Sequence, residues 1–124
     1  MLGNEGQAAI PKILLNPVSA ANTAAATSAW IDVRDAEGDV VFVNQLGSVT
    51  GTITWTIEEA SDSGGTGGAG ITPNEGAYAA GATNQIQKRT INASAGKGFV
   101  RCVGTIGTGP SLVGVSILYR PKNF

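Results

Sequence analysis

Residues 48–59 read S-V-T-G-T-I-T-W-T-I-E-E. From Thr52 to Glu58 the alternation is unbroken: Ile53, Trp55 and Ile57 fall on one side, Thr52, Thr54, Thr56 and Glu58 on the other. A strand has a side-chain period of two, so this pattern makes one dry face and one wet face. β-Branched and aromatic residues suit such a half-buried pleated surface. The stretch reads as a central strand of an antiparallel sheet whose core is shaped around Trp55.

The rest of the chain keeps the same grammar. Ala29, Ile31 and Val33 alternate with Trp30 and Asp32, and Asp35-Ala36-Glu37-Gly38 then reads as a hairpin tip. Val40-Val41-Phe42-Val43 is apolar on both faces, as in a strand covered on both sides or by a partner chain. Gly47 and Gly51 bracket the next connection. Ser61 to Gly70 holds almost nothing that can be buried and reads as a flexible surface loop. Ala77-Tyr78-Ala79 is a short strand candidate, and Gln85–Asn92 a longer one with Ile86 and Ile91 apolar and Lys88-Arg89 exposed. Phe99–Val103 and Val113–Tyr119 read as a closing hairpin around Gly107-Thr108-Gly109-Pro110, ended by Pro121.

Seven or eight closely spaced strands and no helix predict an all-β antiparallel β-sandwich over residues 28–124. Ile31, Val33, Ile53, Trp55, Ile57, Cys102, Val115 and Ile117 are its expected core. Residues 1–27 differ, with short apolar groups broken by Pro11 and Pro17, and read as an extended N-terminal arm. Ile10–Leu15 fits a short edge strand of a frayed arm, or an arm laid across a neighbouring subunit. Ala24–Thr27 leaves room for one helical turn.

Composition excludes several functions. The chain has 124 residues, a net charge of −1 and 14% charged residues, and only Lys88-Arg89 among its basic residues are adjacent. Phosphate binding needs clustered cations, so nucleic acid is not an expected partner. The start lacks a signal-peptide pattern and no apolar run is long enough to span a bilayer, so the expectation is cytoplasmic synthesis and no membrane. Histidine is absent, which removes the commonest general base and metal ligand.

Each chemical motif has a plainer reading. Gly65–Gly70 matches G-x-G-x-x-G, but Ile71-Thr72-Pro73 follows where a phosphate-binding helix should open. Gly96-Lys97-Gly98 lacks the spacing and hydroxyl of a phosphate loop and reads as a hairpin turn. Asp32, Asp35, Glu37 and Asp39 suggest a calcium loop yet fit a solvated hairpin tip better. Glu58-Glu59 has no opposing carboxylate placed by sequence. Cys102 has no activating base and apolar neighbours, so burial is expected. Asn92-Ala93-Ser94 is a glycosylation sequon only in a secreted chain. No catalytic, metal or cofactor site is expected, and the chain reads as a non-enzyme.

The run from Trp30, WIDVRDAEGDVVFVNQLGSVTGTITWTIEEASDSG, is similar to small structural proteins of tailed-bacteriophage head-gene clusters. The closing GFVRCVGTIGTGPSLVGVSILYRPK resembles the last strands of that group, and the resemblance spans residues 29–121. It implies a jelly-roll-like capsid decoration, or cement, protein on the outer surface of a virion. Its partners would be the major capsid protein and its own copies as a homo-dimer or homo-trimer. Val41, Val43, Trp30 and Leu118 sit opposite the expected core faces, and with Ile10, Ile13, Leu14 and Leu15 of the arm they form the expected partner interface. The alternative is a tail, fibre or adhesion domain binding a host glycan or protein. That version needs an exposed aromatic platform, for which Trp30, Tyr78 and Phe124 are the candidates.

Overall fold

The computed structural model describes residues 10–93 and 97–121. Eight strands run in chain order: β1 (Ile10–Ala20), β2 (Ile31–Asp32), β3 (Ala36–Val49), β4 (Ile53–Ala60), β5 (Ala69–Ile71), β6 (Ile86–Asn92), β7 (Phe99–Ile106) and β8 (Ser111–Pro121). They form two four-stranded antiparallel sheets, ordered β1-β8-β3-β6 and β2-β7-β4-β5. The protein is a β-sandwich, and no α-helix occurs among the described residues.

β4 is the expected interior strand, flanked by β7 and β5. Ile53, Trp55 and Ile57 are buried between the sheets, while Thr54 and Thr56 face water. Val33, Cys102, Val115 and Ile117 join them in one continuous core, with Ile31 packed at its margin. Phe42 and Val40 of β3 complete the centre. Burying this many large side chains at about 1.5–3 kcal/mol each is the main stabilising term.

Four sequence readings of local pairing are corrected. Phe99–Val103 and Val113–Tyr119 are not a hairpin, because β7 and β8 belong to opposite sheets and residues 107–110 cross between them. The Asp35–Gly38 tip is likewise no hairpin: β2 and β3 lie in different sheets, and Gly38, at φ +76°, sits inside β3 where its register against β8 breaks. Only β4 and β5 are sequence neighbours paired in one sheet. Tyr78 is buried between sheets rather than in a strand, since Ala77–Ala79 forms none. The Gly96-Lys97-Gly98 turn lies partly outside the described residues, and the strands around it are in opposite sheets.

β1 pairs with β8 from Ile10 to Ala20, longer than the Ile10–Leu15 edge strand expected, with two register breaks. Asn22 then caps a single turn, its Oδ1 accepting from the Ala25 N–H at 3.0 Å, and Ala26 is buried at its end. The segment after it follows β7. Ser28 N–H donates to the Cys102 carbonyl, Cys102 N–H donates back to Ser28 Oγ, and Val33 N–H donates to the Gly98 carbonyl. These contacts hold only Ile31–Asp32 in strand geometry and leave Ala29 exposed.

Candidate interaction face

The two outer faces of the sandwich differ sharply. The face of β2-β7-β4-β5 carries Thr54, Thr56 and Thr105, and the Glu58–Arg101 ion pair at 2.7 Å. Every large exposed apolar side chain among the described residues lies on the other sheet: Ile10, Ile13 and Val18 on β1, Ile86 on β6, Leu112 and Leu118 on β8. Alternation in β8 explains two of them, because burying Val113, Val115, Ile117 and Tyr119 turns Leu112, Gly114, Ser116 and Leu118 outward.

The register assembles the rest. Val41 stands beside Leu118, Val43 beside Ser116, and Gln45 beside Gly114. Ile13 lies opposite Ser116 from the other side. A groove of about 380 Å³ opens over Gly114 and Gly47, walled by Pro17 and Val18 on one side and Gln45 and Leu112 on the others. A smaller hollow of about 90 Å³ adjoins it, sharing Pro17, Gln45 and Gly114 and reaching Ile13 and Val43. The floor exists because two outward positions lack a side chain, Gly114 beside Gln45 and Gly47 beside Leu112.

Of the eight residues proposed as an interface, Ile13, Val41, Val43 and Leu118 lie together on the outer face of this sheet, Leu15 is partly buried against the core beside Val115, and Ile10, beside Tyr119, is exposed at the end of the sheet. Leu14 is turned into the core, 9% exposed, because alternation from outward Ile13 points the next side chain inward, and the register break then brings Leu15 beside Val115. Trp30 lies on the opposite sheet and is half-buried. Ile86 and Leu112 were missed as members. The period-two pattern of Leu112 to Tyr119 carries the signal for Leu112, whereas the sequence around Ile86 marks it only as apolar.

Trp30 is part of a different construction. The Arg101 guanidinium stacks over its ring at 4.5 Å while pairing with Glu58. The 61–70 segment is not a loose tether: it packs on the indole through Gly65 and Gly68. Asp62 Oδ1 accepts from the N–H groups of Gly64 and Thr66, and the Thr66 side chain followed by these N–H groups holds its carboxyl below the usual carboxylate range. Lys97 Nζ donates to the Gly67 carbonyl at 2.7 Å. Neither aromatic offers a sugar platform, since Trp30 is covered and Tyr78 is 7% exposed. Phe124 lies outside the described residues.

The remaining chemistry is closed off. Cys102 is fully buried, and burial pushes its thiol up to about 12. Asn44 Nδ2 donates to Cys102 Sγ at 3.1 Å, and Tyr78 Oη donates to Asn44 Oδ1 at 2.7 Å. A thiol so held is a packing group rather than a nucleophile. The acidic cluster disperses: Asp32 pairs with Arg34 at 2.7 Å, and Glu37 and Asp39 point out from β3. Among the described residues no group of three His, Cys, Asp or Glu side chains could hold a metal ion, and no helix is long and apolar enough to cross a membrane.

No protein-family model matches the chain, and no curated protein matches it. Among solved structures it is similar to the SPBc2 prophage-derived protein YomS, with a TM-score of 0.56 and 10% identity over 90% of this chain and 91% of that one. It also matches a structure of Bacillus endospore appendages, described as a novel family of disulfide-linked pili, with a TM-score of 0.46 and 17% identity over 91% of this chain and 88% of that one. The likeness to YomS is one of fold.

Proposed function

We propose that this protein is a non-enzymatic virion structural protein. In this reading it decorates the outer surface of a phage capsid and stabilises it by bridging neighbouring major capsid protein subunits. The observation that carries the reading is that every large exposed apolar side chain among the described residues lies on one sheet of the sandwich, with Ile13, Ile86, Leu112 and Leu118 on its outer face. A monomer gains nothing from such a face, and contiguous apolar surface marks an interaction site.

Two further observations support it. Seven strand-to-strand connections include six that cross between the sheets, and the order 1-8-3-6 facing 2-7-4-5 supports a jelly-roll reading. That architecture recurs in viral capsid domains. YomS is prophage-derived, so the fold occurs among phage-encoded products. The covered aromatics disfavour a glycan-binding fibre domain.

The test is the copy number of this protein in purified particles of its source virus, relative to the major shell protein. Stoichiometric copies released only on particle disruption are expected. A handful of copies would move the protein to the tail or a vertex, and none would sink the shell reading.

A further inference from the structure

We infer that the apolar outer face of the β1-β8-β3-β6 sheet meets a second copy of this chain across a two-fold axis. The inference rests on the reading of the protein as a contact module, and it names the occupant of the face. Edge-to-edge pairing is blocked at both ends of that sheet. The free edge of β6 is capped: Thr90 N–H donates to Glu75 Oε1 at 2.7 Å, and its carbonyl accepts from Asn74 N–H at 2.8 Å. The β1 edge carries Pro11 and Pro17 and two register breaks, devices that prevent strand addition. Association through this sheet therefore uses its face.

The face fits a copy of itself. Among the described residues its charged side chains are Lys88 and Arg120 against Glu37 and Asp39, which sum to no net charge that would repel its double. Ile13 and Leu112, 64% and 48% exposed, stand beside the groove over Gly114. Knob and hole thus lie on one patch, the arrangement an isologous interface requires. Four strands at about 4.8 Å spacing and eleven residues at about 3.4 Å rise give a footprint of about 700 Å², near the roughly 800 Å² per partner of a standard interface. A two-fold dimer leaves both polar outer faces and both 61–70 loops free, which gives a bridge its two ends.

Sedimentation equilibrium between about 1 and about 100 micromolar tests this. A dimer is expected. Leu112→Glu and Ile13→Glu should each weaken association by at least about a hundredfold while keeping a cooperative melt. Thr54→Glu, on the opposite outer face, should leave it unchanged. A monomer throughout, a trimer, a dimer indifferent to both variants, or one broken by Thr54→Glu overturns the inference. Should Ile13→Glu fail to fold, Leu112→Glu decides alone. A dimer in solution with no copies in particles would keep this inference and sink the shell reading; a monomer with stoichiometric copies would do the reverse.

Discussion

Gly65 lies flat against the indole of Trp30: a methyl group on its α-carbon would sit 2.9 Å from Nε1. Its φ of +86° also excludes most side chains without strain. Gly65→Ala should therefore destabilise the protein by about 2–3 kcal/mol in urea unfolding, strain and clash together. Gly76→Ala is the control, with φ +94° and open space around it, and should cost only about 1 kcal/mol. Equal losses at the two positions would show that the loop does not press on Trp30.

Asn44 bridges Tyr78 and Cys102, accepting from the Tyr78 hydroxyl and donating to the thiol, and it is 1% exposed. Asn44→Ala removes both bonds and strands the Tyr78 hydroxyl in the core, which should cost about 2–4 kcal/mol. Tyr78→Phe should cost about 1–2 kcal/mol, and the double variant less than the sum. Additivity in thermal or urea denaturation would mean the three groups do not act as a network.

The buried thiol sets an alkaline limit. Burial raises the Cys102 thiol from its ordinary 9.0 in the unfolded chain to about 12 in the fold. Above pH 9 the unfolded chain loses this proton while the folded chain keeps it, so the unfolded state binds fewer protons. The stability is complete below 9 and is lost as pH rises toward 12, by about 1.4 kcal/mol per pH unit. Tyr78, raised above its ordinary 10.0 by burial, adds a loss of the same sign at higher pH. Urea midpoints at pH 7 and 10 should diverge in the native sequence and much less in Cys102→Ala. A thiol reagent should label the native protein only at its opening rate.

Gly104 faces Trp55 across the β4–β7 ladder. An added Cβ would lie 3.0 Å from Ala26 Cβ and from Trp55 Cζ3, and 3.1 Å from Ile53 Cδ1. Gly104→Ala should cost about 1–3 kcal/mol through overpacking. A neutral result in calorimetry would mean the core around Trp55 has slack.

Sequence alone determined which residues face inward. Thr52–Glu58 and Val113–Tyr119 place their side chains by a local period of two, and the fold respects both runs. The burial of Cys102 followed from its apolar neighbours, and the apolar outward positions Val41, Val43 and Leu118 followed from alternation. Strand partners were not legible. β7 and β8 carry the same local signal whether they pair with each other or with β4 and β3, and only packing across the sandwich separates them. Leu15 packs beside Val115 because a register break, set by pairing with β8, shifted its phase. Trp30 was covered by glycines more than thirty residues away, which have no side chains to advertise the contact. Periodicity is a property of one strand; burial by a distant backbone is a property of the whole fold.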